Sequence, residues 1–141
     1  MKLAIALAAI VALTPSSFAE ECWMGRESEM TAVGWSAALN KQGWTEITIE
    51  IKNNFEKDIK SSIARAVFSS ENGPLDEAGA PIVPQQIAAG QTRAVKVSTD
   101  AAEYKTLIGA TEGNVQLQIC TQIVGFDDGT DERFVSPRSG Q

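Results

Sequence analysis

Between residues 44 and 52 the chain reads WTEITIEIK, with Ile47, Ile49 and Ile51 alternating against Glu46, Thr48, Glu50 and Lys52. A period of two sends successive side chains to opposite sides of an extended backbone, so this stretch has one face for a core and one for water. Such a strand is stable only as part of a sheet that buries its isoleucine face. The neighbouring stretches must therefore supply partner strands.

Upstream, residues 31–39 fit a strand with Val33, Trp35, Ala37 and Leu39 on one face, or a short alanine-rich helix. Gly34 would cost the helix about 1 kcal/mol, and Asn40-Lys41-Gln42-Gly43 has hairpin chemistry, so the strand is preferred. Downstream, Asn53-Asn54 suits a turn, with Phe55 tucked over one end of the fold. A third strand is expected over 59–68. Its two parities, Ile63 with Val67 and Ala64 with Ala66 and Phe68, imply cover on both faces or a bulge. Glu71-Asn72-Gly73-Pro74 is a turn, and Pro81 and Pro84 exclude a central strand over 75–89 but suit an edge.

Residues 92–98 read as a strand with Val95 and Val97 inward. Residues 99–110 read as one or two helical turns, capped by Thr99 or Asp100, with Tyr104, Leu107 and Ile108 as the apolar stripe. In the next strand Val115, Leu117, Ile119, Thr121 and Ile123 alternate with Gln116, Gln118, Cys120 and Gln122. Asp127-Asp128-Gly129-Thr130 is a hairpin turn, 132–135 a short last strand, and 136–141 a polar tail. About seven short strands and one helical turn define an all-β fold, an immunoglobulin-like antiparallel β-sandwich spanning 31–135 as a single domain.

The N-terminal residues carry the three parts of a secretory signal. Lys2 is the positive start, residues 3–13 the apolar centre, and Ser17-Phe18-Ala19 a small-x-small cleavage site. A buried N-terminal helix and a lipid anchor on Cys22 are the other readings; Glu20 and Glu21 stand where a lipoprotein signal needs small residues. Cleavage after Ala19 is expected, which places the mature chain in the periplasm or outside the cell, with no stable membrane insertion. Losing 1–19 removes Lys2 and no acid, so the formal net charge moves from −6 to −7. That charge and the scattered basic residues argue against nucleic acid.

The mature chain keeps two cysteines, Cys22 and Cys120. In an oxidising compartment they are expected to pair, closing a loop of roughly 100 residues. A redox role would ordinarily use a Cys-x-x-Cys spacing, which is absent. Cys120 shares its parity with the glutamines, so the bridge should clip the irregular lead-in 20–30, with Trp23, across the outer face or edge of its sheet. An antibody-type disulfide would instead lie in the inter-sheet core.

Three segments support a family comparison: Ile-Glu-Ile-Lys-Asn-Asn at 49–54, Ala-Val-Phe-Ser-Ser-Glu-Asn-Gly at 66–73, and Ile-Ala-Ala-Gly-Gln-Thr at 87–92. Over roughly residues 31–125 this order resembles the bacterial FxLYD-type immunoglobulin-like domains. The namesake motif differs here, with Ala66, Phe68, Ser69 and Ser70 at its Phe, Leu, Tyr and Asp positions. The resemblance implies an extracytoplasmic, non-catalytic domain and brings no functional residues.

Chemistry is restricted by what the chain lacks. It has no histidine, which removes Ser-His and Cys-His nucleophile pairs and histidine metal sites, and it has no nucleotide-binding glycine motif. The remaining enzyme readings, a hydrolase with a carboxylate pair or a Ser-Lys arrangement, have no identifiable spacing. Two candidate sites stand out. One is the acidic cluster Asp127, Asp128, Asp131 and Glu132, a source of oxygens for calcium although it lacks the EF-hand order; a solvated hairpin tip is the simpler reading. The other is a binding surface at Trp23 and Trp44, with Trp35 assigned to the core. The leading expectation is a secreted or periplasmic module that binds an envelope or secreted protein. A calcium- or small-ligand-binding protein is the alternative.

Overall fold

The computed structural model describes residues 22–83 and 85–136. Residues 1–21, which include the expected signal 1–19, Pro84 and residues 137–141 lie outside the described residues. Strands β1 (Met30–Leu39), β2 (Thr45–Asn53) and β6 (Thr92–Thr99) form one antiparallel sheet in the order β1-β2-β6. Strands β3 (Ile59–Ser70), β7 (Gln116–Phe126) and β8 (Asp131–Arg133) form the second, in the order β3-β7-β8. The short β4 (Gly73–Pro74) and β5 (Ala80–Ile82) pair with the free side of β3. A 3-10 turn at Ala102–Leu107 joins the sheets at one end.

This is an all-β sandwich whose strand order matches A-B-E against C-F-G of an immunoglobulin domain. Constant-type domains add a strand D beside E. Here the segment between β3 and β6 has joined β3 as β5, and among the described residues no strand pairs with the far side of β6.

The inward face of β2 is the one read from the alternation: Ile47, Ile49 and Ile51 are essentially inaccessible. They meet Val95 and Val97 from β6 and, across the sandwich, Ala66, Phe68, Ile119 and Val124. Phe68 lies at the centre, edge-on to Trp35 at 5.3 Å and to Tyr104 at 6.4 Å. Trp35 thus packs against the core, though its side chain is only partly buried. Phe55 covers the opposite end, edge-on to Phe126 at 5.2 Å.

Bulges and one strand end account for three departures from simple alternation. Ala32 pairs with Ile51 and Gly34 with Glu50, which leaves Val33 extra and exposed rather than inward. Leu39, also expected inward, ends β1 at the hairpin and is exposed. In β7, Ile63 faces Ile123 while Ala64 faces Thr121, so Gln122 is the extra residue. Beyond it Val124 and Phe126 take the core face, and Ile123 moves to the outer face beside Ile63. The third strand has both properties read from its parities: it bulges at Lys60, and Ala66 to Ser69 are buried on both faces.

The disulfide joins Cys22 to Cys120 with Cα atoms 5.6 Å apart. Cys22, Cys120 and Val67 form an apolar cluster of their own, separate from the inter-sheet core, as the glutamine parity of Cys120 requires. Arg26 exchanges both backbone hydrogen bonds with Thr121 at 2.9 Å, so the lead-in lies along the β7 edge next to β8. Gly25, at φ +72°, makes that approach feasible, because a Cβ there would collide with the Thr121 carbonyl. Ser136 belongs to this knot rather than to a polar tail: it is buried, and its hydroxyl donates to the Cys22 carbonyl at 2.6 Å.

Candidate functional site

A sandwich of two open sheets has exposed edges, and each presents backbone N–H and C=O groups to any extended chain. Among the described residues, three of the four edges are obstructed. The β1 edge is bent by the Val33 bulge, and the Glu112 carboxylate accepts from the outward Trp35 N–H at 3.2 Å. The β3 side ends in β4 and β5, which are two and three residues long and contain Pro74 and Pro81. On the far side, β8 is three charged residues long, and Arg26 occupies the adjoining stretch of β7.

The fourth edge is β6. It runs for eight residues with no proline and pairs in unbroken register with β2 from Thr45↔Thr99 to Lys52↔Thr92. Asn53 donates its N–H to the Gln91 carbonyl, which fixes the phase of the ladder. By antiparallel alternation Arg93, Val95 and Val97 bond to β2, whereas Ala94, Lys96 and Ser98 point their backbone groups away from it. No backbone hydrogen bond from another described residue reaches those outward groups.

Beside this edge lies a groove of about 310 Å3 between β5 and β6, where Ala80, Pro81, Val83, Val97 and Tyr104 mix with the charged Asp76, Lys96 and Glu103. Val83 is 58% exposed, a large apolar side chain at the lip. Tyr104 is buried and its hydroxyl donates to Asp76 Oδ2 at 3.2 Å. Burial, then the Asp76 charge, pushes its phenol well above the usual tyrosine value, so the Tyr104 hydroxyl stays protonated across the physiological range. At the rim of the groove, Lys96 makes an exposed 3.6 Å ion pair with Glu46, an interaction worth little in water.

The residues singled out in the sequence do not converge. Trp23 is 53% exposed on the lead-in that flanks β7, and Trp44 is 42% exposed at the β1–β2 turn, so the two tryptophans belong to different sheets. In the acidic cluster, Asp128 accepts from the Thr130 hydroxyl and N–H and pairs with Lys57 at 2.9 Å. Those hydrogen bonds, with Lys57 adding to them, hold its carboxyl well below the usual range. Lys57 also sits over the Phe126 ring at 5.3 Å, so Asp128 serves as a clasp for the hairpin. Asp127, Asp131 and Glu132 are exposed, and among the described residues no group of three or more His, Cys, Asp or Glu is placed to hold a metal ion.

Two structural residues escaped the sequence reading. Asn53 is fully buried: its amide donates to the Lys57 and Ile87 carbonyls at 2.9 Å, and its Oδ1 accepts from the Phe55 N–H at 2.8 Å. It ties the end of β2 to the segment that leads into β6. Glu112 caps the β1 edge from a loop with no periodicity to mark it. The β6 edge itself was legible as a strand, but its exposure follows from strand order, which only the fold reveals.

Fold and site together define a disulfide-stapled immunoglobulin-like sandwich domain with one regular open edge. No family model, curated protein or solved structure matches the chain.

Proposed function

We propose that this chain is an exported, non-catalytic binding module of the periplasm or extracellular space that recruits an extended segment of a partner protein as an added strand beside β6. The observation that carries this reading is the row of outward backbone groups at Ala94, Lys96 and Ser98, on a long regular strand whose three counterparts are all obstructed. Main-chain pairing of this kind supplies affinity without requiring a deep pocket. Export is supported by the signal pattern of residues 1–19 and by the Cys22–Cys120 disulfide, the state expected of an oxidising compartment. Among the described residues no helix is long and apolar enough to cross a membrane. A binding role rather than catalysis is supported by the missing histidine and by the engagement of both cysteines.

The test is Ala94→Pro. Proline here removes one outward donor and leaves the β2 ladder intact, because the Ala94 N–H faces away from β2. Affinity capture from envelope extract with the wild-type and variant proteins, compared quantitatively, should show specific partners lost with the variant while its melting temperature is retained. An identical set of captured proteins would refute the edge reading.

A further inference from the structure

Neighbouring residues on paired strands put their side chains on the same face of the sheet. This inference rests on the edge reading above and concerns the side chain that an added strand turns inward. On β6, Ala94, Lys96 and Ser98 share the solvent face with Glu46, Thr48 and Glu50 of β2, whereas Val97 is buried on the other face and lines the groove. The partner residue beside Val97 therefore projects into that groove. Its lining is of two kinds. Ala80, Pro81, Val83 and Val97 form an apolar stretch, and Asp76 and Glu103 bring carboxylates beside Tyr104, with Lys96, Ser98 and Thr99 along the β6 side. Asp76 accepts from the Tyr104 hydroxyl at 3.2 Å, and both carboxylate charges act on that hydroxyl. The basic residues nearby are directed elsewhere. The Lys96 ammonium lies 3.6 Å from Glu46 on the solvent face, and Arg65 donates to the Gly79 carbonyl at 2.9 Å. Among the described residues neither Asp76 nor Glu103 has an ion-pair partner.

We propose that the partner segment carries a lysine or arginine beside Val97, with its stem along Ala80, Pro81 and Val83 and its charge at Asp76 and Glu103, while its backbone pairs with Ala94, Lys96 and Ser98. Long basic side chains cover apolar surface with their methylenes and keep the charged head at a polar end, which is what this lining offers. An acidic side chain would meet two like charges, and an apolar one would leave both carboxylates without a partner. The formal net charge of −6 also favours the approach of a basic segment from a distance. Backbone pairing holds the segment, and the groove selects its sequence.

A second copy of this chain is a poorer occupant. In a two-fold β6–β6 ribbon centred on Val95, the residue beside Val97 would be the other copy's Arg93. That guanidinium already donates from Nη1 to its own Gln86 carbonyl at 2.6 Å, and two chains of the same net negative charge repel.

The test uses short random peptides displayed on phage and selected on the mature, disulfide-bonded protein. Enriched peptides, once aligned, should share a lysine or arginine at one fixed position. One of them, synthesised, should bind about tenfold or more weakly to Ala94→Pro. It should lose a similar factor to Glu103→Gln, at an exposed site, and to Asp76→Asn, which keeps an oxygen for the Ala78 N–H. All three variants should keep the wild-type melting temperature. The same peptide with glutamate at the fixed position should bind Glu103→Lys more tightly than wild type. Peptides that need an intact β6 edge but share no basic position, or ignore both carboxylate variants, would overturn the groove assignment and leave the edge reading standing. Basic residues scattered without a fixed position would be general attraction to an acidic chain and would overturn it equally. Failure to enrich any peptide, or binding indifferent to Ala94→Pro, would overturn both readings. Sedimentation of the protein alone showing a dimer that Ala94→Pro dissolves would make a second copy the occupant, against the proposal.

Discussion

Replacing Cys22 and Cys120 together with alanine should destabilise the whole sandwich, although the bridge touches only its outer face. The two cysteines are 98 residues apart in sequence, so the disulfide constrains nearly the entire unfolded chain. For a loop of that size the chain-entropy model gives about 4.7 kcal/mol, a large part of the ~5–15 kcal/mol that holds a typical domain. With each kcal/mol worth about 4 °C at this size, the Tm should fall by about 18 °C. In urea, at a slope of ~1.5 kcal/mol/M, the midpoint should drop by about 3 M. The slope should also rise, because an unbridged unfolded chain exposes more surface. Thermal and urea melts of the wild-type and double-alanine proteins, followed by circular dichroism, measure all three. A Tm loss below about 4 °C would refute the reasoning. It would mean that the lead-in peels away locally while the two sheets melt as before.

Other substitutions probe separate links. Asn53→Ala removes the three hydrogen bonds of a fully buried side chain and leaves the Phe55 N–H without its Oδ1 acceptor, and should cost about 3 kcal/mol in thermal melts; Asn54→Ala, whose amide makes one exposed hydrogen bond to Thr31, should stay within about 0.5 kcal/mol. Gly25→Ala should break the Arg26–Thr121 pairing and speed amide exchange at Thr121. Tyr104 titrates above its ordinary value near 10, so the stability contributed by its neutral form is complete below about pH 10 and declines as the pH rises beyond it. Tyr104→Phe should therefore flatten the alkaline limb of the urea midpoint profile. Asp128 behaves in the opposite sense. Its lowered carboxyl contributes above about pH 4 and ceases to as the pH falls through the acid range, so the difference between wild type and Asp128→Asn should be present at neutral pH and shrink in acid.

Much of the architecture was legible because strands declare themselves by period. The isoleucines of β2 and the valines of β6 needed only alternation, and the parity of Cys120 correctly set the disulfide outside the inter-sheet core. Two of the misreadings share one physical cause. A single extra residue changes the parity between the stretches on its two sides, and nothing local in Val33 or Gln122 signals that the partner strand skips it. Asn53 was hidden for a different reason: a buried asparagine and a turn asparagine look alike until the carbonyls of Lys57 and Ile87 arrive from elsewhere in the chain. The candidate site lay deeper still. An open edge is a property of strand order, and β6 is an edge because β5 pairs with β3 instead.

That edge is tested most directly by amide hydrogen exchange, residue by residue along β6, with and without a bound peptide. In the free protein Ala94, Lys96 and Ser98 should exchange rapidly and Val95 and Val97 slowly, following the alternation of the ladder. On binding, the three fast amides should become protected and the slow ones should change little. Protection that appears elsewhere, or outward amides that remain fast in the complex, would contradict the account.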